Sequence, residues 1–139
     1  MIYIPSGTVH AIEGGLKIIE VQQSSDVTYR IYDWGRDREM HIEKSLDVID
    51  YDGKNKGGKI ENFSKLETPY FTVEKISIND LYEGKVNKDF YSYTVISGDG
   101  YITDGIDKIN LGKEDTVYIP SDVSYKIFGN LELIRSFSV

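Results

Sequence analysis

The chain contains no cysteine among its 139 residues. That excludes a disulfide framework and any thiolate metal site, so a bound metal has to rest on nitrogen and oxygen donors. No basic stretch leads into an apolar run, and no apolar run has the length of a membrane span. Neither a signal peptide nor a transmembrane helix is therefore expected, no membrane partner is expected, and the expected location is cytoplasmic. Positive charge is scarce: 16 Lys and Arg against 23 Asp and Glu leave a net charge of −7. Such a surface is poorly suited to neutralising phosphates, so no nucleic-acid partner is expected. Against these absences stand a 40% apolar fraction, 11 Tyr and 5 Phe, enough for a packed core and incompatible with disorder.

Most of the chemistry lies in residues 2–36, IYIPSGTVHAIEGGLKIIEVQQSSDVTYRIYDWGR. A strand over 2–4 ends at Pro5, the turn Pro5-Ser6-Gly7 re-aims the backbone, and His10 projects from the start of the next segment. Proline cannot donate to a sheet ladder and glycine tolerates positive φ, so this punctuation suits a strand corner. The hairpin signal Gly14-Gly15 introduces a strand over 16–23, and a polar cluster, Gln22 to Asp26, runs into an alternating strand around Tyr29 to Tyr32. Residues 38–50 predict one helix, with Ile42, Leu46 and Ile49 on one face; His41 in its first turns reads as a helix-surface or packing residue. A polar, glycine-rich stretch then gives the boundary, so the expected organisation is 1–50, a linker over 51–69, and a second domain over 70–139.

That second part predicts short strands divided by turns. They run over 71–78, 90–96, 101–103, 108–111, 116–119, 125–128 and 131–134, with a loop over 82–89. Ser97-Gly98-Asp99-Gly100, Asp104-Gly105, Gly112 to Asp115 and Gly129-Asn130 read as the turns. This spacing predicts an antiparallel sandwich or barrel.

Sliding the chain against itself by 115 residues reveals an internal repeat. Tyr3, Ile4, Pro5, Ser6, Ile12, Gly14, Leu16 and Ile19 fall on Tyr118, Ile119, Pro120, Ser121, Ile127, Gly129, Leu131 and Ile134. The shared positions are mostly those that build a strand corner. Where the first copy has His10 and Glu20, the second has Tyr125 and Arg135. Any metal chemistry therefore belongs to the first copy. That copy follows Met1 alone, so most of its barrel is expected to be missing from this chain.

The segments PSGTVHAIEGG, IIEVQQSSDVTYR, YDWGR and HIEKSLDVID resemble the type I mannose-6-phosphate isomerases, zinc enzymes of the cupin superfamily. The resemblance is to their C-terminal part. It implies a mainly β fold: a partial cupin barrel and one helix, followed by a second cupin-like antiparallel barrel. It also implies interconversion of mannose 6-phosphate and fructose 6-phosphate by proton transfer assisted by zinc. His10 matches the family's last zinc ligand and Arg30 its active-site arginine, with Asp26 and Glu20 as neighbours that orient those groups. The other ligands of the family lie in a Gln-x-His pair and a separate Glu, and this sequence has no Gln-x-His. The chain thus carries half a site and is expected to be inactive alone. The remaining reading is a non-catalytic cupin-like module that binds sugar or serves structure. The open strands of the first copy have to be covered, by a homodimer, by a missing N-terminal partner chain, or by folding back on the second barrel.

Overall fold

The computed structural model describes residues 1–25 and 27–139. Two compact units divide the chain, 1–62 and 63–139. The boundary falls within the stretch read as a linker, part of which is strand.

In the first unit β1 (Ile2–Tyr3) pairs antiparallel with β2 (Gly58–Lys59), and a single helix, α1 (Ile42–Val48), follows a long irregular run. The Pro5-Ser6-Gly7 corner forms as expected: Gly7 sits at φ 81 and the Thr8 amide donates to the Pro5 carbonyl at 3.2 Å. The strands expected over 16–23 and 29–32 do not form. A strand is stabilised through its ladder, and among the described residues no segment pairs with these two. The helix is also shorter than the predicted 38–50. Arg38 is held back by Asp33, and helical bonding begins only where the Ser45 amide donates to the His41 carbonyl. At the other end Ile49 is extended, and the Asp50 amide leaves for the Gly7 carbonyl. The predicted apolar face is not buried: Ile42 and Leu46 are exposed, and the buried helix residue is Ser45.

The second unit is one antiparallel sheet of β3 (Lys65–Glu67), β4 (Phe71–Lys85), β5 (Phe90–Thr103), β6 (Lys108–Leu111), β7 (Thr116–Pro120) and β8 (Ser124–Ser138). Its order is β3-β4-β8-β5, with β6 and β7 sharing the outer edge of β5. The fold class is the mainly β, antiparallel one that the turn spacing predicts, but three strands are much longer than expected. Gly98-Gly100 and Gly129-Asn130, read as turns, lie mid-strand and face each other, Gly100 opposite Gly129. A Cβ on Gly98 would come 1.9 Å from the Asn130 carbonyl oxygen, and one on Gly129 would come 2.4 Å from that of Asp99. These glycines permit close backbone approach where β5 and β8 pair, a role that composition does not separate from turn-making. Likewise Tyr82 to Lys85, expected in a loop, continue β4 because β8 supplies partners through Lys85↔Ser124.

Alternation along these strands sends one set of side chains inward, and Tyr93, Ile127, Leu133, Val86 and Val95 are fully buried. The Asp104-Gly105 turn is confirmed, with the Asp104 carboxylate accepting the Ile106 and Asp107 amides at 2.9 and 2.8 Å. No helix among the described residues is long and apolar enough to cross a membrane.

Candidate functional site

Of the described site residues expected from the sequence, Arg30 is the one whose side chain is partly buried. Its side chain is 22% exposed, with Nε 3.5 Å from Asp33 Oδ1 and Nη1 donating to the Glu39 carbonyl at 3.0 Å. Its backbone is tied to His41 in both directions. The His41 amide donates to the Arg30 carbonyl at 2.8 Å, and the Arg30 amide donates to His41 Nδ1 at 3.3 Å. A backbone N–H can only donate, so Nδ1 accepts, and a neutral His41 ring carries its proton on Nε2, which lies 3.6 Å from Glu39 Oε2. The ring also packs on Tyr29, centroids 5.9 Å apart. Of the two readings of His41, helix-surface or packing residue, the structure shows the packing one, with the ring buttressing Arg30.

Asp33, which sequence reasoning missed, is the hub of this segment. It is 6% exposed. Its carboxylate accepts from Arg38 Nε at 2.8 Å, from Arg38 Nη2, and from the Arg38 amide at 3.2 Å. Hydrogen bonding from the Arg38 side chain outweighs partial desolvation and holds the Asp33 carboxyl below the usual carboxylate range. The only sequence signal was the pairing of Asp33 with arginines three and five positions away.

His10 stands apart. It is exposed, and its Nδ1 lies 2.9 Å from the Thr8 carbonyl oxygen. A carbonyl can only accept, so Nδ1 carries the proton and Nε2 presents its lone pair outward, a suitable orientation for a metal donor. Glu20 is exposed, and among the described residues no hydrogen bond, ion pair or ring contact joins it to His10 or Arg30. Asp26 lies outside the described residues. No group of three His, Cys, Asp or Glu that could hold a metal ion exists among the described residues. A catalytic zinc takes three protein donors, and the described residues do not bring such a set together.

The interior of the second unit holds a different cluster at the aligned positions. Arg135 donates through Nε to Glu74 at 2.9 Å and through Nη1 to the Tyr82 and Tyr93 hydroxyls at 3.2 and 3.3 Å. Its guanidinium lies 4.6 Å from the Tyr91 ring centre, and the Tyr93 and Tyr125 hydroxyls share a 2.6 Å hydrogen bond. Burial, helped by that bond, pushes the Tyr93 hydroxyl well above its ordinary range. Burial opposes the charge on Arg135, but the bond to Glu74 prevails and its pKa is raised. The Arg135 guanidinium is thus the part-buried cation around which these groups gather.

Residues 59–138 match the family described as mannose-6-phosphate isomerase, cupin domain. The chain belongs to that family. It is 37% identical to a mannose-6-phosphate isomerase from Streptococcus mutans, over 98% of this chain and 48% of that protein. It is 33% identical to the mannose-6-phosphate isomerase ManA of Bacillus subtilis, over 96% of this chain and 47% of that one. A crystal structure of the Bacillus subtilis isomerase superposes with a TM-score of 0.61 at 26% identity, over 81% of this chain and 40% of the other. The chain therefore spans about half the length of the curated relatives it matches. The cupin-like antiparallel fold and the isomerase resemblance both stand.

Proposed function

We propose that the chain contributes half of a mannose-6-phosphate isomerase site, which interconverts mannose 6-phosphate and fructose 6-phosphate by proton transfer. The other half comes from the isomerase sequence that the relatives carry beyond the matched region, in cis or in trans. The observation that carries this reading is the contrast between the two copies of the repeat. Ile4, Ile12 and Leu16 are 39%, 52% and 70% exposed, whereas the aligned Ile119, Ile127 and Leu131 are 4%, 0% and 3% exposed. In the second copy β8 is flanked by β4 and β5, both of which precede it in the chain. The occupant of the first copy is accordingly a pair of long antiparallel strands from the preceding half of an isomerase-family barrel. Relatives of twice the matched length have room for such strands.

In the completed site, Arg30 stabilises the oxyanion that develops as the sugar passes through an enediol-type intermediate. The Arg30 guanidinium, a planar donor group, also suits the oxygens of a sugar phosphate. His10 offers one nitrogen, so zinc belongs here only if the remaining donors come from the other half. Glu20 and Asp26 are proposed to orient these groups once the site closes. For residues 63–139 the satisfied Arg135 cluster favours the second reading, a structural cupin-like module.

The test is a coupled assay on the chain alone and after mixing with the unmatched half of the Streptococcus mutans relative. Negligible turnover alone, and zinc-dependent turnover on mixing that His10→Ala abolishes, supports the proposal. Full turnover by the isolated chain, or none on mixing despite stable binding, contradicts it.

A further inference from the structure

Arginine is a poor oxyanion donor while its long side chain samples many rotamers, because ordering it costs conformational entropy. Something has to hold Arg30 before substrate arrives. The backbone is bent to provide it. Asp33-Trp34-Gly35-Arg36 is a tight turn closed by the Arg36 amide donating to the Asp33 carbonyl at 3.0 Å. Trp34 at φ 49 and Gly35 at φ 73 both lie in the left-handed region. That conformation is unfavourable for a bulky residue such as Trp34, and it persists only where surrounding contacts impose it. The turn brings Arg38 back onto Asp33, where three donors from that one residue fix the carboxylate.

Resting on the isomerase reading, we infer that Asp33 is the positioning residue of Arg30. Its buried carboxylate presents Oδ1 to both arginines, bonded by Arg38 Nε and ion-paired with Arg30 Nε at 3.5 Å, while the Glu39 carbonyl takes Arg30 Nη1. No described residue takes Nη2, which is left to face a substrate oxygen. His41 completes the device by fixing the Arg30 backbone. Arg38 acts on Arg30 only through Asp33, so the two arginines differ in role although they share a carboxylate. This order of dependence makes the assignment testable.

The experiment uses the full chain together with the unmatched half of the Streptococcus mutans relative, with nitrogen-15 NMR of the arginine Nε–H groups and mannose 6-phosphate as the probe. In the native protein Arg30 should give an ordered, slowly exchanging Nε–H signal that shifts on titration. Asp33→Asn should broaden or lose that signal and raise the apparent Kd about tenfold, as expected for a lost charge-assisted contact. Arg38→Gln, which keeps the carboxylate, should give an intermediate effect, and Asp33→Glu should restore part of the order. If Asp33→Asn fails to fold, judged by its thermal transition, the comparison of Arg38→Gln with Asp33→Glu decides. An unchanged Arg30 signal and affinity in the folded variants would overturn the positioning role. A native Arg30 that is ordered but unmoved by mannose 6-phosphate would overturn the isomerase reading itself, and with it any role for Asp33 in substrate binding.

Discussion

Residues 9–23 and 124–138 are aligned copies of one pattern, yet the second is a fifteen-residue strand and the first contains no regular strand. The difference is in what lies beside them. β8 has β4 on one side and β5 on the other, and its apolar residues are buried as a consequence. Burial and strand structure are therefore properties of a segment together with its neighbours. The same holds for glycine. A Cβ at Gly129 meets the Asp99 backbone, whereas one at the aligned Gly14 meets nothing within 4 Å. It holds for chemistry too: the position of Glu20, exposed in the first copy, holds in the second Arg135, enclosed by Glu74 and three tyrosines.

The aligned pair Arg135 and Glu20 should give the largest contrast. Arg135→Ala removes the cation of the phenols and leaves Glu74 only Lys65, 3.5 Å away, in a mostly buried site, and should destabilise the second unit by roughly 3 kcal/mol. Glu20→Ala should stay within about 0.5 kcal/mol. Urea unfolding followed by tyrosine emission and far-ultraviolet dichroism measures both. Equal effects would mean that the copies are not energetically distinct.

A smaller contrast should separate the aligned isoleucines. Ile127→Ala removes a fully buried side chain and should cost about 2–5 kcal/mol. Ile12→Ala, half exposed, should again stay within about 0.5 kcal/mol. Trp34, the one tryptophan, gives a separate fluorescence signal for the first unit.

The two units should also fail at opposite ends of the pH scale. The Tyr93 pKa is raised by burial, so its contribution is fully present below the unfolded value of about 10 and is lost as pH rises beyond it. Asp33 is depressed by Arg38, so its contribution is present above the unfolded value of about 3.9 and is lost as pH falls through the folded one. Alkaline titration should loosen the second unit first, with Tyr93→Phe flattening that limb. Acid titration should release Trp34 fluorescence first, and Asp33→Asn should remove that step.

Much of the second unit was legible because its turns and alternation are local: Asp104-Gly105 caps a hairpin wherever it occurs. The close pairing of β5 and β8 through their glycines was not, because a glycine that permits close backbone approach looks like one that permits a turn. In the first unit Arg30 and His10 were visible by resemblance, but Asp33 and His41 were not. Their roles depend on a turn that folds Arg38 back and on an amide reaching an imidazole, neither of which is written in residue spacing. The expected strands over 16–23 and 29–32 failed for the complementary reason, since their pattern is present and their partners are not among the described residues.

The central claim is that the first copy is a strand face awaiting two flanking strands, and amide hydrogen exchange measures it most directly. At a concentration where light scattering shows a monomer, residues 9–23 should exchange as fast as unpaired backbone while 124–138 remain protected. Adding the unmatched half of the Streptococcus mutans relative should then slow exchange across 9–23. Strong protection of 9–23 in the isolated monomer, protection gained only through self-association, or no change on adding that half would contradict the account.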